Sequence, residues 1–123
     1  MTSRISQLTF DCADPHTLAE FWCAVLDFVV LGSDEEGVKI GPSDPNQNKS
    51  SLPELLFLRV PEGKTVKNRL HLDINPVGID QADEVSRLLE LGARRVDISQ
   101  GEVSWVVLAD LEGNEFCVLS GRH

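Results

Sequence analysis

Two stretches of the chain alternate between polar and apolar residues. In residues 5–12, ISQLTFDC, the polar side chains of Gln7, Thr9 and Asp11 alternate with apolar ones, and residues 70–75, LHLDIN, follow the same pattern. Successive side chains of a β-strand point to opposite faces of the sheet, so a period of two predicts a half-buried strand at each place.

A helical pattern follows each of these strands. Asp14 and Pro15 suit the N-cap and the first turn of the first helix, and Gly92 suits the left-handed position just after the second, predicted at 80–91. Apolar residues recur at helical spacing in both segments. They are Leu18, Phe21, Trp22, Val25 and Leu26 in the first helix, and Ala82, Val85, Leu88 and Leu89 in the second.

Three further strands are predicted after each helix. They cover residues 28–31, 38–40 and 54–60 in the first half, and 94–98, 103–109 and 115–119 in the second. A polar loop with three prolines occupies 41–53, as a possible lid. Both halves therefore share the order strand, helix and three strands at an offset of about 64 to 65 residues, which indicates an internal duplication.

The duplicated order predicts an α+β fold. We expect a single domain over residues 1–123, with one βαβββ module at about 4–60, a linker at 61–69 and a second module at about 70–120. Two such modules side by side form a curved eight-stranded mixed sheet with a concave cleft on its uncovered face, a natural ligand site. The residues predicted to line this cleft are Gln7, Thr9, Asp11, His71, Asp73, Trp105, Glu115 and Cys117.

Composition restricts the class of partner. The formal net charge is −9 and the isoelectric point is near 4.6, which disfavours nucleic acid and anionic membrane surfaces. The sequence lacks an apolar run of about 20 residues and a signal-peptide pattern. Its 3 cysteines have no Cys-x-x-Cys spacing, so we expect reduced thiols in a cytoplasmic protein rather than a structural zinc site.

Three segments together resemble the vicinal-oxygen-chelate superfamily, and within it the glyoxalase-like and bleomycin-resistance-like domains. They are LTFDCADPHTLAEFWCAVLDF, VPEGKTVKNRLHLDI and VLADLEGNEFCVL, the last with the family's aspartate-x-x-glycine-asparagine turn before the final strand. The resemblance covers essentially the whole chain. It implies the duplicated fold described above, and it implies a homodimer, which small members of the family commonly form.

The resemblance also indicates where a metal would bind. Metal-using members take ligands from the first and last strands of each half, and the metal acts as a Lewis acid on two adjacent substrate oxygens. The corresponding positions here are Gln7, His71, Cys117 and an apolar residue, Leu58 or Phe57. Because one ligand is missing and the amide is weak, we expect no metal cofactor. If a metal binds, His71 would hold it with Gln7, Glu115 or Cys117.

The chemistry of His71 has two interpretations. It is either a hydrogen-bonded cleft histidine or a general acid or base, with Glu115 as the second catalytic candidate. A metal site joining His71, Asp73 and Glu115 is disfavoured, because residues two apart along a strand are separated by more than about 6 Å. Cys117 is not expected to be a nucleophile, since a carboxylate at Glu115 would raise the pKa of its thiol.

We therefore predict a protein that binds a small organic molecule in its cleft without a metal, and we leave catalysis open. One alternative is a metal-dependent lyase, isomerase or dioxygenase of the same superfamily. The other is an acidic resistance protein that sequesters a cationic, planar antibiotic. Metal content separates the first alternative from the prediction, and a thermal-shift panel of cationic drugs tests the second.

Overall fold

The chain divides within the predicted linker into two units, Met1–Gly63 (unit 1) and Lys64–His123 (unit 2). The computed structural model describes residues 2–43, 53–96 and 104–120. Each unit contains one helix and one four-stranded sheet within these residues. No helix of the described residues is long and apolar enough to cross a membrane.

Unit 1 follows the predicted order of strand, helix and three strands. Its elements are β1 (Gln7–Cys12), α1 (Pro15–Leu26), β2 (Phe28–Ser33), β3 (Gly37–Pro42) and β4 (Glu54–Arg59). The strands lie in the order β1-β4-β3-β2. The first strand runs parallel to the last, and the other neighbours are antiparallel.

Helix α1 begins as its local sequence predicts. The Asp14 side chain caps it by accepting a hydrogen bond from the Thr17 N–H at 3.3 Å. Asp27 ends it in the left-handed region, with φ 57°. The helix contacts β2, β3 and β4. The buried apolar side chains of α1, β3 and β4 are Pro15, Leu18, Ala19, Phe21, Trp22, Val38, Ile40, Leu55 and Phe57.

Unit 2 repeats this arrangement. Its elements are β5 (Leu72–Ile74), α2 (Gln81–Glu90), β6 (Arg94–Arg95), β7 (Val106–Ala109) and β8 (Glu115–Val118). The strands lie in the order β5-β8-β7-β6, and the first strand is again parallel to the last. The predicted α+β class with two βαβββ modules is therefore confirmed, and the eight strands form two four-stranded mixed sheets.

Helix α2 ends in a Schellman motif centred on Gly92. The Ala93 N–H donates to the Leu88 carbonyl at 3.0 Å, and the Gly92 N–H donates to the Leu89 carbonyl at 3.1 Å. Gly92 has φ 115°, as predicted for a left-handed residue at this position. Asp27 in unit 1 and Gly92 in unit 2 therefore end equivalent helices, which supports the internal duplication.

The buried face of α2 differs from the prediction at two positions. Ala82 is exposed, although it was predicted to belong to the apolar stripe. Glu84 is buried instead, because Arg87 one turn later donates to both of its carboxylate oxygens, at 2.7 and 2.9 Å. The ion pair satisfies a carboxylate that burial alone would penalise.

Several predicted boundaries also change. The strand predicted at 70–75 shortens to β5 because only three of its residues pair with β8, and Leu70 is 84 % exposed. The loop predicted at 41–53 starts later, since Gly41 and Pro42 pair with β2. Residues 44–52 and 97–103 lie outside the described residues. The predicted joining of the two sheets around a cleft stays a prediction.

Candidate functional site

The turn between β7 and β8 is organised by the Asp110 side chain. This carboxylate is only 3 % exposed. Its Oδ1 accepts hydrogen bonds from the backbone N–H groups of Glu112, at 2.9 Å, and Asn114, at 3.0 Å. Gly113 supplies the left-handed residue of the turn, with φ 86°. The turn thereby fixes where β8 begins.

The first residue of β8, Glu115, is bound by the segment that precedes β5. Lys64 Nζ lies 3.1 Å from Glu115 Oε2, and the Asn68 N–H donates to Glu115 Oε1 at 3.3 Å. The Asn68 side chain also donates to Asn114 Oδ1 at 2.9 Å. We call this set of contacts the Glu115 clasp.

The Glu115 clasp keeps this carboxyl group ionised. Burial by itself would raise the pKa of Glu115, but a hydrogen bond from its own backbone N–H, the Lys64 ammonium and the Asn68 N–H together lower it below its ordinary value. Glu115 was predicted as a catalytic residue. Its engagement by Lys64 and Asn68 favours a structural role.

Three side chains with metal-ligating atoms meet on β5 and β8. Asp73 and Cys117 are direct neighbours in the parallel strand pair, and His71 Nδ1 lies 3.2 Å from Asp73 Oδ1. One ligand atom from each of these residues lies within 4.8 Å of the other two. We call His71, Asp73 and Cys117 the His71 cluster.

The side-chain atoms of His71 and Asp73 lie closer together than the spacing of the two residues along a strand suggested, for a specific reason. The prediction placed both residues in a regular strand, where side chains two apart stand parallel and separate. In the structure β5 begins at Leu72, so His71 precedes the strand and its ring approaches the Asp73 carboxylate. The third member of the cluster is Cys117 rather than Glu115.

Exposure differs sharply across the cluster. The side chains of His71 and Asp73 are 41 % and 50 % exposed, whereas Cys117 is buried. Burial raises the pKa of the Cys117 thiol to about 11, and the negative charge of Asp73 and a hydrogen bond to it act in the same direction, against a weak opposing effect of Lys67. The thiol is thus neutral near pH 7, as expected, although Asp73 and not Glu115 is the neighbouring carboxylate responsible.

The other predicted site residues are carried by β1 and by the segment before β7. Gln7 is half-buried on β1, while Thr9 and Asp11 on the same strand are exposed. Trp105 precedes β7 and is 37 % exposed. The duplication equates Asp73 with Thr9, whose partner on β4 is Leu56. The unit 1 counterpart of Cys117 is therefore Leu56 rather than Leu58 or Phe57, and it is equally unable to bind a metal.

Unit 1 carries a pocket whose lining residues are not among those predicted for the cleft. Its volume is about 370 Å³, and it lies between the β2–β3 turn and the strand face that carries Lys39, Leu56 and Leu58. These residues alternate with the buried residues of β3 and β4, so the pocket lies on the sheet face opposite α1. The alternation in ELLFLR could have indicated the strand wall of this pocket. Nothing in the sequence of the turn SDEEG predicts that it forms the other wall.

Comparisons with known proteins agree with this architecture. A family model described as "Glyoxalase-like domain" matches residues 7–119. A glyoxalase/bleomycin resistance/dioxygenase family enzyme from Burkholderia phytofirmans PsJN is similar in structure, with a TM-score of 0.62 and 15 % identity over 92 % of this chain and 94 % of that chain. No curated protein matches the sequence.

Two fosfomycin resistance proteins are similar in the same way. FosX from Mesorhizobium loti has a TM-score of 0.66 and 16 % identity, over 98 % of this chain and 94 % of that chain. A mutant FosX from Listeria monocytogenes, complexed with Mn(II) and 1S,2S-dihydroxypropylphosphonic acid, has a TM-score of 0.68 and 14 % identity. This comparison covers 98 % of this chain and 92 % of that chain. At such identities these structures show a shared fold alone, whereas the family model spans nearly the whole sequence. The chain belongs to the glyoxalase-like domain family.

Proposed function

We propose that this protein binds a small organic molecule at the His71 cluster, with a divalent cation held by His71, Asp73 and Cys117. The observation that carries the proposal is the convergence of a ring nitrogen, a carboxylate oxygen and a sulfur within 4.8 Å. The sequence alone favoured a metal-free site, partly because His71 and Asp73 were expected to lie too far apart. Their 3.2 Å separation removes that objection.

The distances in the cluster fit a bound cation. Ligand atoms that share one Zn²⁺ at bond lengths of about 2.0–2.3 Å lie roughly 3.3–3.8 Å apart in a tetrahedral site. The His71–Asp73 separation of 3.2 Å is already close to this value. Rotation of these two exposed side chains is sufficient to bring the remaining distances, at most 4.8 Å, into range.

The chain's own residues divide the work of such a site. Cys117 is buried in the middle of β8 and provides a fixed anchor. His71 and Asp73 face solvent and leave an approach for a small molecule. Three protein ligands with an open fourth position are typical of catalytic zinc sites, and a cation bound there supplies a Lewis acid for an oxygen of the ligand. Glu115 has no part in the proposal, because Lys64 and Asn68 bind it.

A metal-free site is the second candidate, and the contacts of Asp73 favour it. Asp73 already accepts a hydrogen bond from the Cys117 thiol and lies beside the His71 ring. Without a cation, His71 and Asp73 would hydrogen-bond directly to polar groups of the ligand. Both candidates make His71 essential, and they differ in metal content.

Metal analysis and thermal unfolding of three proteins test the proposal. We compare the wild type with His71→Ala and with His16→Ala, a matched control at an exposed position of α1. Each protein is purified without chelators, and its metal content is measured after dialysis against mixed divalent ions. Unfolding is then followed with a panel of small oxygen-rich organic acids, with and without EDTA. A ligand at 100 times its Kd stabilises the folded state by about 2.7 kcal/mol.

The result expected is near-stoichiometric metal and a ligand-induced rise in Tm for wild type and His16→Ala, both lost in His71→Ala. A Tm rise that requires His71 but survives EDTA, in protein without metal, would select the metal-free candidate. Absence of both metal and ligand effects in the wild type would refute the proposal.

A further inference from the structure

We infer that the His71 cluster selects thiophilic divalent ions, of which Zn²⁺ and Co²⁺ are the usable probes, over Mn²⁺ and Mg²⁺. The inference rests on the proposed function, because it concerns the same three residues. It adds a choice among ions, which the proposed function leaves open. The preference among ions follows from the three donor atoms. It also depends on the contacts that prevent another donor from replacing the sulfur.

The donor set contains one sulfur, one imidazole nitrogen and one carboxylate oxygen. Thiolate and imidazole ligands favour Zn²⁺ and its relatives, whereas Mg²⁺ and Mn²⁺ favour sites built of carboxylates, carbonyls and water. The similar FosX from Listeria monocytogenes was solved with Mn(II). We expect the cluster in the present chain to behave differently because only one of its three donors is an oxygen-bearing group.

A cation at the cluster cannot avoid the sulfur. Cys117 is 7 % exposed and pairs on both sides in the sheet, with Asp73 on β5 and with Val107 on β7. Its backbone is therefore fixed, and its short side chain keeps the sulfur beside Asp73. An ion that binds His71 and Asp73 must also contact the sulfur or leave it buried next to a positive charge.

The carboxylate nearest along β8 cannot replace the sulfur. Glu115 lies two residues before Cys117, but both of its oxygens are engaged: Lys64 lies 3.1 Å from one, and the Asn68 N–H donates to the other at 3.3 Å. Moving Glu115 into the cluster would break these contacts of the Glu115 clasp and leave the Lys64 ammonium without its carboxylate. The clasp thus keeps the donor set poor in oxygen.

The inference is tested by titrating the metal-free protein with Co²⁺ and following the ultraviolet absorption of thiolate-to-cobalt charge transfer. Zn²⁺ is then added as a competitor, and Mn²⁺ binding is measured separately from the electron paramagnetic resonance of the free ion. Cys117→Ser removes the sulfur at nearly constant volume. Cys23→Ser, at the half-buried cysteine of α1, is the matched control, and circular dichroism verifies the folding of each variant.

We expect a charge-transfer band in the wild type and in Cys23→Ser, displacement of Co²⁺ by Zn²⁺, and Mn²⁺ binding at least tenfold weaker than that of Co²⁺. Cys117→Ser should lose the band and reduce Co²⁺ affinity by more than the roughly 10–100-fold that follows loss of a residue supporting a ligand. If Cys117→Ser fails to fold, Asp73→Asn is used instead, because Asp73 is exposed. This variant should bind Co²⁺ more weakly than the wild type and should keep the thiolate charge-transfer band.

The outcomes separate the inference from the proposed function. Mn²⁺ binding as tight as that of Zn²⁺, or a band that persists in Cys117→Ser, would overturn the inference while the His71 cluster remained a metal site. A wild-type protein that binds none of these ions would overturn the inference together with the metal-bound form of the proposed function, and the metal-free candidate would then be decided by the thermal-unfolding test.

Discussion

Replacement of Asp110 by alanine should be one of the most destabilising single changes in this protein. The carboxylate is 3 % exposed and accepts hydrogen bonds from the N–H groups of Glu112 and Asn114 and from the Asn114 amide. A hydrogen bond to a charged group contributes about 1.5–3 kcal/mol. Glu112 and Asn114 are only half-buried, so water can replace part of the lost hydrogen bonding. We therefore expect Asp110→Ala to lower the free energy of unfolding by about 3 kcal/mol.

A second aspartate in the chain provides a matched comparison. In the turn between β2 and β3, Asp34 Oδ1 accepts hydrogen bonds from the N–H groups of Glu36, at 2.8 Å, and Gly37, at 3.0 Å. Asp34 itself is exposed, and water can reach its side of the turn. We expect Asp34→Ala to cost only about 1 kcal/mol. Both variants remove one negative charge, so their difference of about 2 kcal/mol reports the effect of burial.

Urea unfolding near pH 7 measures the difference, with the free energy of unfolding extrapolated to water and the m-values compared. Tryptophan fluorescence and circular dichroism should give coincident transitions for each protein. Asp110→Asn keeps one acceptor oxygen and should fall between the wild type and Asp110→Ala. Equal losses for Asp34→Ala and Asp110→Ala, or a loss below about 1 kcal/mol for Asp110→Ala, would show that the buried carboxylate does not hold the turn.

Three further changes should have distinct effects. The pKa of Glu115 is held below its ordinary 4.5. The stability that this carboxylate contributes is therefore present above pH 4.5 and is lost as the pH falls through the lowered pKa. In urea unfolding, the advantage of wild type over Glu115→Gln should shrink from neutral pH to about pH 3.5. Gly92→Ala strains a residue at φ 115° and brings the new Cβ to 2.5 Å from Leu111 Cδ2, whereas Gly78→Ala strains φ 81° in open space. Thermal unfolding should show the larger loss of Tm for Gly92→Ala, because φ 115° lies farther than φ 81° from the left-handed region near about +57° that L-residues adopt. The end of the Leu111 side chain, which is 39 % exposed, can move aside. Equal losses would therefore argue against this backbone strain. Phe57 has no exposed surface, so Phe57→Ala should lower the free energy of unfolding in urea by about 3–5 kcal/mol. A loss under about 2 kcal/mol would mean that neighbouring side chains move into the cavity.

The elements most accurately predicted from the sequence are those specified by local chemistry. Asp14 and Pro15 define the start of α1, and Gly92 defines the end of α2, because capping depends on residues within one turn of the helix. The buried face of α2 was less predictable. Glu84 is buried only because Arg87 pairs with it, and a hydrophobic period cannot report a charge that is neutralised by a neighbour.

The sequence predicted only part of the candidate site, because the rest depends on contacts that a local pattern does not report. Alternation placed His71 and Asp73 on one face of a strand, and the resemblance singled out Cys117. Their convergence depends on β5 beginning one residue after His71, which is set by the short pairing with β8. The sequence did not single out Lys64 and Asn68 as the partners of Glu115, because they come from the linker, whose path over β8 has no periodic signal in the sequence. Tertiary contacts of this kind override what a strand position implies.

The parallel pairing of first and last strands affects how each unit folds. In unit 1, Gln7 pairs with Glu54, and in unit 2, Leu72 pairs with Phe116. The antiparallel pairs β2–β3 and β7–β8 need only short chain closures, while the parallel pair must bring the ends of the unit together at a larger entropic cost. The hairpins should therefore form early and the first strand should join last. During synthesis, β1 must wait for β4 to leave the ribosome, and unit 1 then has all of its own strand partners before unit 2 has been translated.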